Sequence, residues 1–290
     1  MELLESMCFL MALFLLQGGN PMLTQEQQIA VKKGTPIQWN GLTLFPIQVK
    51  DMDLFLAAQL GLTASQQTLP GKYVVMRYLE ALYALDYDVR TSGGVGGGLF
   101  TRVLLFLKLS LRLEVIKGED GIEYFPIQQL TERDNPRKLV ALGVQQGDVK
   151  AQITPQDFNQ LREILAAQNG VELPDETLNP ELVQAERDLK GKNSLNLNVD
   201  SESLIYSVSV KTHVPLEEIM EWTIRRFKLT ERAVDRSTGH LVAALTEAAG
   251  AKYKNGNPFP SWKYDREDDS SGVVELSGLI KRLSGAVEAK

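Results

Sequence analysis

Apolar and polar residues alternate in three segments of the chain, which is the pattern of half-buried strands. In residues 35–50 the pair Asn40-Gly41 interrupts the alternation, and this pair is typical of the turn in a β-hairpin. Residues 113–128 and 138–153 each contain two strand-like runs around a polar turn, GEDG in the first and QQGD in the second. The pattern predicts a strand pair followed by two β-hairpins.

The apolar period lengthens to that of an α-helix in three other segments. One helix begins at Asp51, with Gly61 near its end. Its predicted apolar face consists of Met52, Phe55, Leu56 and Leu60. A second helix lies within residues 71–88, and its predicted face consists of Val75, Leu79, Leu82 and Leu85. After the glycine cluster at 93–98, residues 99–113 are apolar enough for a central, mostly buried helix.

Residues 153–170 carry well-defined helix signals at both ends. Thr154 is a suitable N-cap, Pro155 fits the first helical position, Asp157 lies in the first turn and Gly170 follows the last turn. The predicted buried stripe consists of Phe158, Leu161 and Leu165.

The rest of the chain predicts a polar linker and then helices. Residues 171–201 are polar and contain at most one short helix, which is typical of a connection between two regions. Pro215 suits the first position of the next helix. Its predicted inner face consists of Ile219, Met220, Thr223, Ile224 and Phe227. A further helix is predicted from about Thr230 to Ala249, ending at Gly250.

An aromatic and proline-rich segment, GNPFPSWKYDRED, follows these helices at residues 256–268. Pro258 and Pro260 favour extended backbone in the residues before them, so this segment is predicted to be an ordered strap rather than a helix. Its aromatic side chains are those of Phe259, Trp262 and Tyr264. The strap either folds back to cap the helices of residues 215–249 or anchors a partner through its aromatic rings.

The composition is that of a folded globular chain with an acidic balance. Of its 290 residues 43% are hydrophobic and 23% charged, and the net charge is -6. An acidic chain lacks the overall attraction that nucleic-acid binding uses, so no nucleic-acid partner is expected. Cys8 is the single cysteine and cannot form an internal disulfide, which favours a reducing compartment, the cytoplasm.

Residues 1–21 form an apolar extension whose origin stays open. The apolar run from Met7 to Leu16 is shorter than the about 20 residues that span a bilayer. Glu2 and Glu5 stand where a signal peptide carries Lys or Arg. The extension is interpreted as a buried helix, as a partner-docking helix, or as residues upstream of a true start at Met22.

Residues with catalytic or ligand-binding potential do not form a recognised motif. The glycine cluster lacks the GK[ST] ending of a phosphate loop, and His213 and His240 lie outside metal-binding spacings. The acidic clusters at 85–89 and 265–269 lack the order of a calcium loop. We therefore predict a protein that is not an enzyme and has no cofactor and no metal site.

Residues 201–228 contain the outline of a helix-turn-helix with a basic second helix. Arg225, Arg226 and Lys228 supply the positive charge. Because apolar residues such as Trp222 interrupt the basic ones, a plain helical hairpin is the favoured interpretation and a DNA reader the alternative.

Several motifs resemble proteins encoded in the tail-morphogenesis modules of phages and prophages of Gram-positive bacteria. The runs EIMEWTIRRF and GNPFPSWKYDRED carry the resemblance in the C-terminal part, and LTLFPIQVKDMDLFLAAQ and YLEALYALDYD carry it in the N-terminal half. These proteins are described as tail assembly chaperone-like. The resemblance implies binding to a helical tape-measure protein, recruitment of tail-tube subunits, and departure from the finished tail.

Together these observations predict a mixed α+β protein with a non-catalytic role in tail assembly. The predicted regions are an extension at 1–21, an α+β domain at 22–170, a linker at 171–201, and a helical domain with its strap and tail at 202–290. The expected partner-binding residues are Trp222, Arg225, Arg226, Phe259, Trp262 and Tyr264. The alternatives are a tail or baseplate component retained in the particle and a DNA-binding regulator. No membrane association is expected, and homo-oligomerisation stays open.

Overall fold

The structure is a computed structural model that describes residues 23–94, 98–117, 123–176, 200–250, 252–253, 257 and 259–263. It combines helices with small antiparallel sheets, so the predicted α+β class is confirmed. The chain divides into two compact units, Met1–Glu176 and Thr177–Lys290. The predicted apolar extension, most of the predicted linker, and Tyr264 lie outside the described residues.

The first unit contains six helices and seven strands among its described residues. Its helices are α1 Gln25–Lys33, α2 Met52–Thr63, α3 Gly71–Val74, α4 Tyr78–Thr91, α5 Leu99–Leu111 and α6 Asp157–Asn169. Its strands are β1 Ile37–Trp39, β2 Leu42–Leu44, β3 Ile116–Lys117, β4 Glu123–Tyr124, β5 Ile127–Glu132, β6 Asn135–Gln146 and β7 Val149–Ile153. Short 3₁₀ turns cover Val49–Asp51 and Gln66–Thr68.

The predicted hairpin around Asn40-Gly41 is confirmed. Strands β1 and β2 pair antiparallel, with Trp39 opposite Leu42 across the turn. Both turn residues have positive φ, 47° for Asn40 and 80° for Gly41, which is the backbone that this residue pair tolerates best. Leu42 and Leu44 are fully buried, so the hairpin contributes one face to the core.

The two later hairpins are also confirmed, and a further strand joins the second one. β3 pairs with β4, although the GEDG turn lies outside the described residues. β6 pairs with β7 through a turn that contains Gly147. β5 adds to the other edge of β6, giving a three-stranded sheet in the order β5-β6-β7. The sequence QQLTE in β5 is mostly polar, and its side chains are mostly exposed, so its strand character was not predicted.

The centre of the first unit is the crossing of α2 and α5. Phe55 of α2 and Phe106 of α5 are fully buried, with ring centroids 5.9 Å apart. Gly61 lies at the crossing, where an added Cβ would come within 2.5 Å of the backbone nitrogen of Val103. Glycine therefore permits the two helix backbones to approach closely.

The predicted apolar face of α2 is only half correct. Met52 and Phe55 are buried, whereas Leu56 and Leu60 are 40% and 47% exposed. The prediction of one helix across residues 71–88 is wrong, because α3 and α4 are separate helices. Val75 lies at the break and is 89% exposed instead of packing in the core. By contrast, the central buried helix predicted at 99–113 is confirmed by α5.

Two side chains cap the C-terminal end of α2, where helix carbonyls lack partners within the helix. The Tyr78 hydroxyl donates to the Gly61 carbonyl at 2.8 Å. Arg162 of α6 donates from Nε to the Leu62 carbonyl at 2.7 Å and from Nη2 to the Ala64 carbonyl at 3.3 Å. The guanidinium carbon also lies 3.7 Å from the centre of the Tyr78 ring. Burial raises the pKa of the Tyr78 hydroxyl to about 12, so the hydroxyl stays a donor.

Side-chain amides join the sheet and helices where backbone groups have no strand partner. The Oε1 atom of Gln146 accepts from the Thr43 amide at 2.8 Å, and Nε2 donates to the carbonyls of Thr43 and Leu111. Asn169 is fully buried, and its Oδ1 accepts from the Ile47 amide at 2.8 Å. These polar side chains fix the first hairpin against α5, β6 and α6.

The predicted N-cap of α6 is two positions too early, because the N-cap is Gln156 and the helix begins at Asp157, whereas the predicted end at Gly170 is confirmed. Thr154 still bonds to the first turn. The Asp157 amide donates to Thr154 Oγ1 at 3.2 Å, and the Phe158 amide donates to the Thr154 carbonyl at 3.0 Å. Gly170 ends the helix with φ of 61°. All three residues of the predicted stripe, Phe158, Leu161 and Leu165, are fully buried.

The second unit contains three helices among its described residues: α7 Ser201–Thr212, α8 Leu216–Met220 and α9 Ile224–Ala248. Pro215 is the N-cap of α8, one position earlier than predicted. The predicted start of a further helix near Thr230 is wrong, because the break falls at residues 221–223. There Thr223 accepts from the Arg226 amide at 3.1 Å and begins a continuous helix of 25 residues.

Candidate functional site

The start of α9 is a compact cluster built around Trp222. The Trp222 ring is only 5% exposed, and its Nε1 donates to Glu218 at 3.4 Å. The Arg226 guanidinium lies 4.0 Å from the ring centre and forms a long ion pair with Glu218 at 3.9 Å. Arg225 is half-buried. These contacts join α8 to α9, so three of the predicted partner-binding residues lie together at this end of the helix.

An apolar stripe runs along α9 from its first residue nearly to its last. At 3.6 residues per turn, its members fall within about 100° of one another. They are Ile224, Phe227, Val234, Leu241, Val242 and Leu245. The first two belong to the core of the second unit. Its other buried residues include Ile205, Val208, Ile219 and Trp222.

The C-terminal end of this stripe is open. Leu241, Val242 and Leu245 are 60%, 56% and 63% exposed, and we call these three residues the open stripe. Burial among the described residues of the second unit explains the apolar residues at the start of α9 but not these three. Adjacent exposed aliphatic side chains on one helix face are typical of a surface that another protein covers.

The strap lies along a different side of α9, and its backbone is held by helix side chains. His240 Nδ1 donates to the Phe259 carbonyl at 2.9 Å, and Arg236 Nε donates to the Trp262 carbonyl at 3.0 Å. The Phe259 ring lies directly over Gly239, where an added Cβ would come within 2.9 Å of three ring carbons. Phe259 and Trp262 nevertheless remain 41% and 57% exposed.

Both interpretations of the strap therefore describe part of its geometry. It folds back on the long helix, yet its two described aromatic rings keep about half of their surface in solvent. Phe259 and Trp262 lie together on α9. The α9 residues that they contact begin at Arg236, ten residues after Arg226 of the Trp222 cluster. The open stripe, on another side of α9, was not singled out from the sequence. The sequence feature that could have revealed the open stripe is the apolar period of α9, but this period does not distinguish buried from exposed positions.

The histidines and the first acidic cluster have structural roles. His213 ends α7 with φ of 58°, as expected for a turn residue, and His240 binds the strap. Asp86 is 3% exposed and pairs with Arg90 at 2.5 Å. Asp88 accepts from Lys72 Nζ at 2.8 Å and from the Tyr73 hydroxyl at 2.7 Å.

Asp88 is the centre of an ionic network in the first unit. Besides Lys72 and Tyr73, it binds Arg137 of β6 at 2.9 Å. The hydrogen bond from Lys72 is the main reason that the pKa of Asp88 lies below its ordinary value, with Tyr73 and the charge of Arg137 adding to it. The network thus connects α3, α4 and β6.

Within the described residues, no group of three or more His, Cys, Asp or Glu side chains is arranged to hold a metal ion. None of the helices formed by these residues has the length and apolar character needed to cross a membrane. Comparisons of the chain with protein-family profiles, with curated proteins and with solved structures found no match.

Proposed function

We propose that the chain is a non-catalytic, tail assembly chaperone-like factor that acts in the cytoplasm of a bacterial host. In this role it binds the tape-measure protein and tail-tube subunits of a phage or prophage and leaves the finished tail. The observation that carries the proposal is the open stripe of Leu241, Val242 and Leu245 on α9. The sequence resemblance supplies the identity of the partners.

The spacing of the open stripe suits a helical partner. Leu241 and Leu245 are four residues apart and Val242 lies beside them, so the three side chains form one ridge on the helix. A partner helix with an apolar face can pack against such a ridge and keep its polar face in solvent. A tape-measure protein is expected to be long and helical and to expose apolar faces before the tube surrounds it.

The size of the stripe favours reversible association. Full burial of a Leu or Val side chain is worth roughly 1.5–3 kcal/mol, so covering the exposed half of three such side chains supplies about 3 kcal/mol. Immobilising the partners offsets part of this gain. A contact of this strength can be displaced when tube subunits bind. Such displacement is required of a factor that leaves the finished tail.

The proposal is tested by purifying the tagged chain from a lysate of the producing host and quantifying the captured proteins by mass spectrometry. The double variant Leu241→Ser/Leu245→Ser is expected to lose capture of the tape-measure protein. The matched control is Val210→Ser/Leu229→Ser, which changes two residues of the second unit that are 69% and 51% exposed but lie outside the stripe. Equal loss in both variants, or no loss in either, contradicts the role of the stripe.

Purified particles from the same culture separate this proposal from its alternatives. A chaperone is expected to be absent from them, whereas a tail or baseplate component is present at a fixed copy number. A DNA-binding regulator predicts salt-sensitive retention on DNA that falls when Arg225 and Arg226 become alanine. If the chain captures no phage proteins and no DNA, the tail-assembly proposal as a whole is contradicted.

A further inference from the structure

A cavity of about 540 Å³ lies beside α9 in the second unit. Three cationic residues contribute to its wall: Lys211 of α7, Arg236 of α9 and Lys263 of the strap. The other described residues of the wall are hydroxyl-bearing and small residues of α9 together with Val234 and Trp262. Lys211 and Lys263 come from segments far apart in sequence, so the fold creates this concentration of positive charge.

The cavity is positive in a chain that is negative overall. The net charge of the chain is -6, yet the charged side chains that line the cavity among the described residues are all cationic. Arg236 donates to the Trp262 carbonyl, and Lys263 Nζ lies 5.3 Å from the centre of the Trp262 ring. The first contact fixes the strap at the edge of the cavity, and the second keeps a lysine near its opening. A local positive potential of this kind attracts an anionic group.

We propose that this cavity binds a carboxylate-bearing peptide segment of a partner protein. Its volume is larger than a single small anion needs, and Val234 and the Trp262 ring offer apolar surface beside the cations. An amphipathic segment with one or more Glu or Asp residues matches both kinds of wall. Lys211 and Lys263 would pair with the carboxylates, while the aromatic ring covers neighbouring aliphatic side chains.

The position of the cavity on the helix argues for carboxylates over phosphates. Phosphate sites in proteins commonly use backbone N–H groups at a helix N-terminus or in a glycine-rich loop. Here the helix wall is formed by residues 230–238, in the interior of α9, where backbone N–H groups are used within the helix. Along this described part of the wall the donors are side chains, which suits individual carboxylates spaced along an amphipathic peptide.

This site is distinct from the open stripe and does not depend on the partner being a tape-measure protein. Val234 lines the cavity and also belongs to the apolar stripe of α9, so a bound helix could extend from the cavity toward Leu241. The inference adds a charge preference to the apolar recognition already proposed. Its test uses synthetic peptides, so its failure can be told apart from failure of the tail-assembly proposal.

The experiment measures binding of a labelled amphipathic helical peptide to the full chain by fluorescence anisotropy. The peptide carries Glu residues on the polar side of a leucine stripe, and a matched peptide has Gln in place of every Glu. We expect the Glu peptide to bind about tenfold more tightly, because each partly screened charge pair is worth a few-fold in affinity. The difference is expected to shrink when the ionic strength rises from about 0.05 to about 0.5 M.

Variants assign this difference to the cavity. Lys211→Gln/Lys263→Gln is expected to bind both peptides equally, whereas Lys32→Gln/Lys252→Gln removes the same charge from exposed positions outside the cavity and is expected to keep the preference. Thermal melting by circular dichroism checks that both variants are folded. If the Glu and Gln peptides bind the wild-type chain equally, or if the control variant loses the preference too, the proposal is overturned.

Competition identifies the chemical class of the anion. The competitors are inorganic phosphate and an oligothymidylate. If either displaces the Glu peptide from the wild-type chain and does not bind the cavity variant, the peptide assignment is overturned in favour of a phosphate-bearing ligand. Absence of displacement by either supports a carboxylate-bearing peptide.

Trp262 reports the local potential directly. The chain has three tryptophans, and Trp39 and Trp222 are each only 5% exposed, so collisional quenching acts mainly on Trp262. Quenching by iodide, relative to neutral acrylamide, is expected to fall at least twofold in Lys211→Gln/Lys263→Gln. An unchanged ratio means that the cavity has no positive potential and overturns the proposal.

Discussion

Replacing Gly61 by alanine tests the helix crossing that forms the centre of the first unit. An added Cβ would lie 2.5 Å from the Val103 backbone nitrogen and 2.8 Å from the Arg102 carbonyl carbon. Ordinary contact begins at 3.4 Å, so α2 and α5 would have to separate by about 0.9 Å, the difference between 3.4 and 2.5 Å. The contacting atoms belong to the backbone, so no side chain can rotate away to relieve the overlap.

The expected cost follows from the packing that this separation disturbs. Overpacking a core costs about 1–3 kcal/mol, and a gap of this size forfeits a quarter to a half of the dispersion energy between facing atoms. Alanine recovers up to about 1 kcal/mol through its higher helix propensity. We expect a net loss of about 2 kcal/mol in the free energy of unfolding, or about 4–8 °C in the melting temperature.

Urea unfolding followed by circular dichroism measures the loss. Hydrogen exchange with mass spectrometry assigns it to peptides from α2 and α5, because the two units need not unfold together. The control is Gly71→Ala, since a Cβ at Gly71 would have no neighbour within 4 Å and is expected to cost nothing. If Gly61→Ala unfolds at the same urea concentration as the wild type, the close backbone contact between α2 and α5 is refuted.

Three further substitutions probe the cap, the strap and the ionic network. Tyr78→Phe leaves the Gly61 carbonyl without its buried donor, and we expect a loss of about 1–3 kcal/mol in urea unfolding; a loss below 0.5 kcal/mol, roughly the lower end for any hydrogen bond, would contradict this cap. Trp262→Ala should cost about 1 kcal/mol rather than the about 3–5 kcal/mol of a core tryptophan, because the ring is 57% exposed. A shift typical of a core residue would mean that the strap closes further over α9. Asp88→Asn should melt below the wild type near neutral pH, and this gap should close as the pH falls below about 3.8. The carboxylate has a lowered pKa, so its stabilisation is present above the ordinary value of 3.8 and is lost as the pH falls through the lowered pKa. A gap that persists at pH 2, roughly two units below the ordinary aspartate value, would show that Asp88 acts through shape rather than charge.

Turn and capping residues in the sequence predicted the helices and hairpins whose ends are set by contacts between neighbouring residues. Asn40-Gly41 fixes the first hairpin because both residues accept positive φ, and Gly170 ends α6 because glycine accepts the φ of 61° found there. The α+β class followed from such signals. Each of them operates within a few residues of sequence, which is why it could be recognised without knowledge of tertiary contacts.

Errors occurred where the apolar period along the chain does not reveal a helix break or a strand partner. Val75 has the spacing of a core residue, but the chain breaks between α3 and α4 and leaves it in solvent. Thr223, rather than a residue near Thr230, begins the last helix, because its hydroxyl caps the helix while Trp222 packs below it. β5 is recognisable only from its partner β6, since its own residues are mostly polar.

The candidate site was predicted in part for the same reason. The aromatic composition of the strap was visible in the sequence, and Phe259 and Trp262 do lie on the long helix. The open stripe and the cationic cavity were not predicted. Exposure of Leu241, and the approach of Lys211 to Lys263, depend on how α7, α9 and the strap pack, which spacing along the chain does not encode.

The attachment of the strap has a consequence for how this protein could diversify. Arg236 and His240 hold the strap by its main-chain carbonyls, so these two attachments do not depend on which side chains the strap carries. The Phe259 ring also packs on Gly239, whereas Trp262 is 57% exposed, so related chains could exchange residue 262, and with it the preferred partner, while the same path along α9 is kept. The helix would then be the conserved scaffold, and the strap would be the variable element that recognises the partner.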